Sequence, residues 1–293
     1  MFERRAQLEP LTLRGHIFEW GSRTFVMGII NATPDSFSGD GIGADAGAAV
    51  RKAIEFTAAG VDVIDIGGES TRPGHRPVNE EEELRRVIPA IAAVRAAVDT
   101  PISVDTFKPS VAVEAIAAGA DMINCVWGAI PGIVELATRA SVPLVVMHNR
   151  VNSDYDGDCV TEVISSLELA ARYARGVGLA AEHIIVDPGI GFGKTPDQNV
   201  QIIARLHEFA RRLPYPLLVG LSRKSFIGKI TGEEVGERAF GTAAAVTLSI
   251  AAGADIVRVH DVAQMRGVID VADAIVRVGA AHAPPRSPMP RLL

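Results

Sequence analysis

The sequence predicts a closed parallel (β/α)8 barrel, the TIM-barrel architecture of the α/β class. Eight short runs rich in Val, Ile and Leu alternate with segments of helical spacing. Most of these runs are apolar at successive positions, as in strands that are covered on both faces. The 293 residues suffice for one large core but not for two. Eight strand–helix units without a second domain favour a closed barrel over the alternative, an open doubly wound sheet.

The predicted strands and helices follow one another in order along the chain. The strands lie at residues 24–31, 61–68, 101–106, 122–126, 143–148, 183–187, 217–222 and 256–260. The helices carry Ala, Leu, Ile and Val on one side and include residues 44–59, 80–98, 110–118, 160–177, 199–212 and 236–252. This order places the barrel domain at residues 23–280.

Two short segments flank the predicted barrel. Residues 1–22 form an N-terminal segment, in which residues 11–21 predict a β-hairpin that closes the barrel floor. Residues 281–293 contain four prolines and predict a disordered tail.

The composition excludes several classes of partner. Lys and Arg total 29 against 35 Asp and Glu, so a net charge of −6 gives no general attraction to nucleic acid or anionic lipid. The longest uncharged apolar stretch, residues 239–254, is shorter than the roughly 20 residues that span a bilayer. The two cysteines, Cys125 and Cys159, support neither a disulfide framework nor a zinc site. The charged start MFERR does not resemble a secretion signal, so we expect a cytoplasmic protein.

A short repeat predicts that three polar side chains meet inside the barrel. The pattern Ala-Gly-x-Asp occurs three times between a predicted helix and the next strand, with a glycine suited to a helix end. The fifth residue after each of these glycines is Asp65, Asn124 or Arg258. Because strand side chains alternate between faces, equal offsets place all three on the same face. We expect them at one mouth of the barrel, and the alternative for Asp65 is a buried carboxylate with a structural role.

Polar residues follow seven of the eight predicted strands, at the barrel end where TIM-barrel enzymes carry out their chemistry. Asp105, Asn124 and Asp187 can donate and accept hydrogen bonds in a plane, and Lys224 can donate to a ring nitrogen or carbonyl. This combination suits a neutral heterocycle that has amino and amide edges.

A second group of side chains at the same end suits an anion, with phosphate the best candidate. The group offers hydrogen-bond donors and positive charge and consists of Asn31, Arg72, Arg223, Arg258 and His260. The two groups together predict a heterocycle with a phosphorylated arm.

Five segments closely resemble the signature segments of the dihydropteroate synthases. They are NATPDSF at residues 31–37, GESTRPG at 68–74, DPGIGFGK at 187–194, SRKS at 222–225 and RVHDV at 258–262. They occur in the family's order over nearly the whole predicted barrel. The resemblance implies a pterin-binding barrel and a transferase of folate biosynthesis. The implied reaction joins p-aminobenzoate to 6-hydroxymethyl-7,8-dihydropterin pyrophosphate and gives 7,8-dihydropteroate and pyrophosphate.

The resemblance also implies roles for individual residues. The pterin-binding set is Asp105, Asn124, Met147, Asp187, Phe192, Gly220 and Lys224. The p-aminobenzoate-binding set is Thr71, Arg72, Pro73 and Ser225. The pyrophosphate-binding set is Asn31, Arg72, Arg258 and His260, with Asn31 also beside a Mg²⁺ cofactor. The catalytic set is Asp35, Asp105, Lys224, Arg258 and His260.

The implied chemistry is an SN1-like departure of pyrophosphate. Mg²⁺, Arg258 and His260 would neutralise the charge that gathers on the leaving group. Asp35 and Asp105 would stabilise the pterin cation, and the aniline nitrogen needs positioning more than activation. The family resemblance further implies a homodimer and sulfonamide ligands that mimic p-aminobenzoate, with either sensitivity or resistance to the drug.

One departure from the family pattern keeps alternatives open. Cys125 stands where the family usually has an acidic residue, and we expect it to alter the support of the neighbouring Asn124. A non-catalytic pterin-binding paralogue is therefore one alternative. Two further alternatives do not depend on Cys125, namely a folate-to-corrinoid methyltransferase on the same barrel and Lys224 as a Schiff-base lysine.

Overall fold

The computed structural model describes residues 8–33, 41, 45–69 and 77–277. The predicted tail at 281–293 lies outside these residues. So do four of the predicted site residues, namely Asp35, Thr71, Arg72 and Pro73.

Within the described residues, a two-stranded hairpin precedes eight parallel strands. The hairpin consists of β1 (Leu11–Leu13) and β2 (His16–Phe18). The parallel strands are β3 (Phe25–Asn31), β4 (Val63–Gly67), β5 (Ile102–Asp105), β6 (Met122–Cys125), β7 (Leu144–Met147), β8 (Ile184–Asp187), β9 (Leu218–Gly220) and β10 (Ile256–Val259). β3 to β8 pair in chain order, and β10 pairs with both β3 and β9. A parallel bridge between Val186 and Leu217 joins β8 to β9 and closes the barrel. The predicted (β/α)8 barrel is thus confirmed, and the open-sheet alternative is wrong.

Helices connect the strands on the outside of the barrel. They are α1 (Ala46–Ala58), α2 (Glu80–Ala97), α3 (Pro109–Ala117), α4 (Pro131–Ala140), α5 (Cys159–Val177), α6 (Pro196–Ala204), α7 (Leu206–Arg212), α8 (Ser225–Thr231), α9 (Ala239–Ala251) and α10 (Val262–Val276). The side chains of Asp45, Asn79, Asp158 and Thr195 accept hydrogen bonds from the first backbone N–H groups of their helices, which fixes where those helices begin. The single helix expected over 199–212 is instead two helices, which meet at Arg205.

The N-terminal hairpin closes the barrel floor, as the sequence predicts. Its two-residue turn places Arg14 and Gly15 at φ 48° and 79°, the backbone that a tight hairpin needs. Leu11, Leu13 and Phe18 are buried in one cluster with apolar barrel residues. Those barrel residues are Phe25, Met27, Val63, Met122, Val145, Ile185, Leu218 and Ile256. The lower half of the barrel interior is therefore apolar.

The outward-facing strand residues form a second cluster, under the helices. It includes Cys125, which is fully buried between the sheet and the helix layer. The neighbouring Asn124 side chain points the other way and donates to the carboxylate of Asp65. The expectation that Cys125 alters the support of Asn124 is therefore wrong as far as the side chain is concerned, because the strand places the two side chains on opposite faces. None of the described helices is long and apolar enough to cross a membrane.

Candidate active site

An ion-pair network occupies the upper half of the barrel interior. Arg258 donates from Nε to Asp65 Oδ2 (2.6 Å) and from Nη2 to Asp105 Oδ2 (2.7 Å). Asn124 Nδ2 donates to the same Asp65 oxygen (3.1 Å). The three side chains that the Ala-Gly-x-Asp repeat predicts at one mouth of the barrel do meet there. Asp65 is fully buried and links the other two, as the structural alternative proposes for it.

Strand register brings two further sequence-predicted residues to the same level. Asn31 is the Cα partner of Gly67, Gly67 of Asp105, and Asp105 of Asn124. These residues form one row at the carboxyl ends of β3 to β6. Asn31 is half-buried, so its amide lies at the rim of the network. The row places polar side chains from three strands, β3, β5 and β6, around one cavity mouth.

Burial sets the charge state of the carboxylates in this interior. Desolvation raises the pKa of Asp105 to about 7, although Arg258 opposes it, and Asp65 and Glu83 add to the rise. Desolvation likewise raises the pKa of Asp187 to about 6, against a hydrogen bond from the Gly189 N–H and the charge of Lys224. Asp105 Oδ1 is buried and accepts no hydrogen bond from the protein. A ligand that carries N–H donors would satisfy this oxygen.

An apolar wall faces these carboxylates. Phe192 packs with Met147 and Val126, and Phe107 packs against the group. The Lys224 Nζ lies 4.0 Å above the Phe192 ring, in cation–π contact. Met147 is the Cα partner of Asp187, so this wall and the second carboxylate share one level of the barrel. The arrangement suits a flat heterocycle whose edge is hydrogen-bonded and whose face is packed.

The ends of β9 and β10 complete the predicted site. Gly220 is the Cα partner of Arg258, and Lys224 directly precedes α8, whose first residue is the exposed Ser225. His260 is buried, with its Nδ1 3.0 Å from Ser222 Oγ. The fold therefore brings residues that the family resemblance assigns to pterin binding to one end of the barrel.

The sequence suggests that Arg223 binds an anionic ligand, but in the structure its guanidinium pairs with Asp261. Its guanidinium donates twice to the Asp261 carboxylate, from Nε (3.0 Å) and Nη2 (2.6 Å). It therefore joins the loops that follow β9 and β10. Arg223 and His260 line a cavity of about 320 Å³ together with Arg51 and Lys52 of α1. Glu55 and Asp261 line the same cavity and pair with Lys52 and Arg223, so the cavity beside β3 and β10 carries charges of both signs.

Sequence reasoning missed a buried ion triad beside the site. Lys108 Nζ binds the carboxylates of Glu69 and Glu83, both of which are buried. Glu69 also accepts from the Val78 N–H (3.3 Å), so it ties the end of β4 to residue 78. The signal available in the sequence was Glu83, an acid on the buried face of α2. The triad fixes both described ends of the connection between β4 and α2.

Two more groups missed from the sequence are His148 and Lys194. Both follow barrel strands, and their side chains meet, with Lys194 Nζ 3.0 Å from His148 Nδ1. The motif that contains Lys194 was noticed for its glycines rather than for this lysine. Among the described residues, no group of three or more His, Cys, Asp and Glu side chains could hold a metal ion.

Comparison with known proteins places these features in a family. The family model described as "Pterin binding enzyme" matches residues 27–260. The dihydropteroate synthase of Synechocystis sp. is 46% identical over 278 residues, which cover 92% of this chain and 96% of that protein. The structure of Xanthomonas albilineans dihydropteroate synthase with 4-aminobenzoic acid is 43% identical with a TM-score of 0.84, over 91% of this chain and 97% of that one. The Yersinia pestis enzyme in a sulfonamide drug complex is 37% identical with a TM-score of 0.85, over 91% and 98%.

Proposed function

Because the chain belongs to the dihydropteroate synthase family of pterin-binding enzymes, we propose that it joins p-aminobenzoate to 6-hydroxymethyl-7,8-dihydropterin pyrophosphate. The products are 7,8-dihydropteroate and pyrophosphate, and the reaction is a transferase step of folate biosynthesis. The observation that carries this proposal is the convergence of Asp105, Asn124, Asp187 and Lys224 beside the Phe192 wall.

Pterin binding follows from the hydrogen-bonding groups of the interior. The carboxylates of Asp105 and Asp187 accept hydrogen bonds from ring N–H and amino groups, and Asn124 can both donate and accept. The free Asp105 Oδ1 supports this assignment, because a buried oxygen without a partner is costly unless a ligand donates to it. Lys224 donates to a ring nitrogen or carbonyl, and Phe192 packs against the ring face.

Departure of pyrophosphate depends on hydrogen-bond donors and positive charge at the ends of β10 and β3. Arg258 and His260 lie on β10 and directly after it, and Asn31 lies at the end of the adjacent β3. Their donors stabilise the negative charge that gathers on the leaving group. Asp105 and Asp35, the latter outside the described residues, stabilise the positive charge left on the pterin methylene. The amine of p-aminobenzoate then attacks this carbon and loses a proton to solvent.

A magnesium ion fits the donor set at Asn31. Its amide oxygen is a hard ligand, and Mg²⁺ commonly keeps several waters and takes its other ligands from substrate phosphates. When bound, the ion supplies Lewis-acid neutralisation of the diphosphate oxygens.

We propose that p-aminobenzoate binds at the Ser225 end of the cavity, beside Lys224. The X. albilineans enzyme holds 4-aminobenzoic acid and the Y. pestis enzyme holds a sulfonamide drug, and both share the fold of this chain. Sulfonamides, which carry the same aniline group, would compete with p-aminobenzoate here. Residues Thr71, Arg72 and Pro73, which lie outside the described residues, complete the predicted set.

A pyrophosphate-release assay tests the proposal. Mixing the protein with the pterin diphosphate should release pyrophosphate only when p-aminobenzoate is present. No release in either mixture would favour the methyltransferase or the non-catalytic paralogue, and release that does not depend on p-aminobenzoate would indicate hydrolysis and contradict the proposed transfer. Lys224→Met should cut turnover at least about tenfold in a folded protein, by the loss of one charge-assisted contact of about 1.5 kcal/mol.

We also propose a homodimer that forms through α9. Phe240, Ala244, Thr247 and Leu248 are exposed at helical spacing, and Phe240 is 86% exposed. Such an apolar stripe on a surface helix is typical of a protein–protein interface. Phe240→Asp should shift the sedimentation coefficient toward that of a monomer. The cytoplasmic location expected from the sequence stays a prediction.

A further inference from the structure

Lys194 has a half-buried side chain whose amino nitrogen has three polar neighbours. Its Nζ donates to the Phe192 carbonyl (2.9 Å) and to the Gly189 carbonyl (3.0 Å), and it lies 3.0 Å from His148 Nδ1. The two carbonyls take two N–H donors, which both the ammonium and the neutral amine possess. The three contacts tie together the loop at residues 189–193 and the residue that follows β7.

The loop at residues 189–193, which Lys194 contacts, needs positive φ angles that residues other than glycine rarely adopt. Gly189, Gly191 and Gly193 all have positive φ, at 69°, 84° and 54°. A Cβ on Gly189 would lie 1.9 Å from the His148 carbonyl oxygen, so the loop is pressed against the end of β7. Such a loop needs interactions outside its own backbone to stay in one conformation.

The same loop builds one wall of the proposed pterin cavity. Phe192 packs with Met147, and Lys224 Nζ lies over its ring. A Cβ on Gly191 would lie 3.0 Å from Lys224 Cδ, so the backbone of this loop also touches the Lys224 side chain. A displacement of the loop would therefore move both the Phe192 ring and Lys224.

We propose that Lys194 is a positioning residue for the pterin substrate, because the hydrogen bonds of its Nζ fix the 189–193 loop and with it the Phe192 wall. This inference rests on the proposed function and adds a residue that acts through the loop rather than on the substrate. Lys194 contacts the loop that carries the Phe192 wall, so its removal should weaken pterin binding more than p-aminobenzoate binding.

Burial favours the neutral forms of both His148 and Lys194. Burial, together with Lys194 and Arg150, lowers the pKa of His148 to about 3, so the ring is neutral. Burial lowers the pKa of Lys194 to about 7, while Asp187 and Cys159 raise it and Arg150 lowers it further. Tyr155 contributes from the other side, since its hydroxyl donates to the Gly193 carbonyl (3.0 Å).

The test is steady-state kinetics on Lys194→Met, with Lys229→Met as the matched control. Lys229 is an exposed lysine of α8 and undergoes the same chemical change. We expect Lys194→Met to raise KM for the pterin diphosphate about tenfold, corresponding to about 1.4 kcal/mol, with KM for p-aminobenzoate within about twofold of wild type. A merely structural role would lower the folded fraction and hence kcat, and would leave both KM values unchanged. That result would overturn the inference.

A second variant keeps the inference testable if Lys194→Met does not fold. Tyr155→Phe removes only the hydroxyl that donates to Gly193 and should raise KM for the pterin diphosphate by about threefold, with p-aminobenzoate unaffected. An unchanged pterin KM in Tyr155→Phe would then overturn the inference. If neither the wild type nor Lys229→Met releases pyrophosphate, the proposed function is wrong. This result differs from an unchanged pterin KM in an active enzyme, which would contradict only the role of Lys194.

Discussion

Replacing Asp187 by Asn should stabilise the protein near neutral pH while it weakens pterin binding. The Asp187 carboxyl is buried, and its Oδ1 accepts from the Gly189 N–H (2.7 Å), a bond that an asparagine oxygen can keep. Desolvation raises its pKa from 3.8 to about 6. The folded protein therefore carries a carboxylate that would be better solvated in the unfolded chain.

Proton linkage gives the sign and the size of the effect. The folded state holds the Asp187 proton more tightly, so it binds more protons than the unfolded chain between pH 3.8 and about 6. Stability consequently falls as the pH rises through this window and stays lowered above it. At about 1.4 kcal/mol per pH unit, the loss is about 3 kcal/mol at pH 8. An unfolding entropy of about 2.1 cal/mol/K per residue converts this into roughly 5 °C.

Thermal unfolding at two pH values measures this cost. Asp187→Asn should unfold about 5 °C above wild type at pH 8 and with almost no difference near pH 3, because well below pH 3.8 both the folded and the unfolded wild type carry the Asp187 proton. Asp156→Asn, at an exposed position, is the matched control and should change neither midpoint. KM for the pterin diphosphate should rise in Asp187→Asn alone. A variant that is less stable than wild type at pH 8 would refute the reasoning.

Three further substitutions probe the network, the loop and the floor. Asp65→Asn should destabilise the protein by about 3 kcal/mol in urea unfolding and lower kcat/KM, because Arg258 loses one of its two buried carboxylates; wild-type stability would show that the pair is dispensable. Gly189→Ala should cost at least about 2 kcal/mol and raise KM for pterin, since its φ is positive and the Cβ meets the His148 carbonyl; an unchanged KM would separate the loop from the site. Leu13→Ala should lower the free energy of unfolding by about 3 kcal/mol and leave KM values unchanged, because it creates a cavity in the barrel floor, far from the rim. Altered KM values would show that the floor and the site are coupled.

Much of the candidate site could be predicted because strands and turns are encoded locally. Side chains alternate along a strand with a period of two, so equal offsets from three similar helix ends predict that Asp65, Asn124 and Arg258 share a face. The same rule, applied to Cys125, would have placed it on the outer face. The prediction about Cys125 was wrong because it considered only that Cys125 follows Asn124 in the sequence. It did not consider that the two side chains point to opposite faces of the strand.

Other features depend on contacts that no local pattern contains. Arg258 reaches Asp65 across 193 positions, and Lys108 joins Glu69 to Glu83 beside the site. Arg223 is equally ambiguous in sequence, where it can serve an anion as well as the Asp261 that it binds. In each case a charged side chain has several possible partners, and the fold selects one.

The order of elements, the apolar strands, the glycine turns and the family motifs are properties of neighbouring residues, and the sequence alone determined them for this protein. Which charges pair, which glycine loop a lysine holds and which carboxyl protonates near neutral pH were decided only by the closed barrel. The physical reason is that these properties depend on burial and on distances of about 3 Å between residues far apart in the chain.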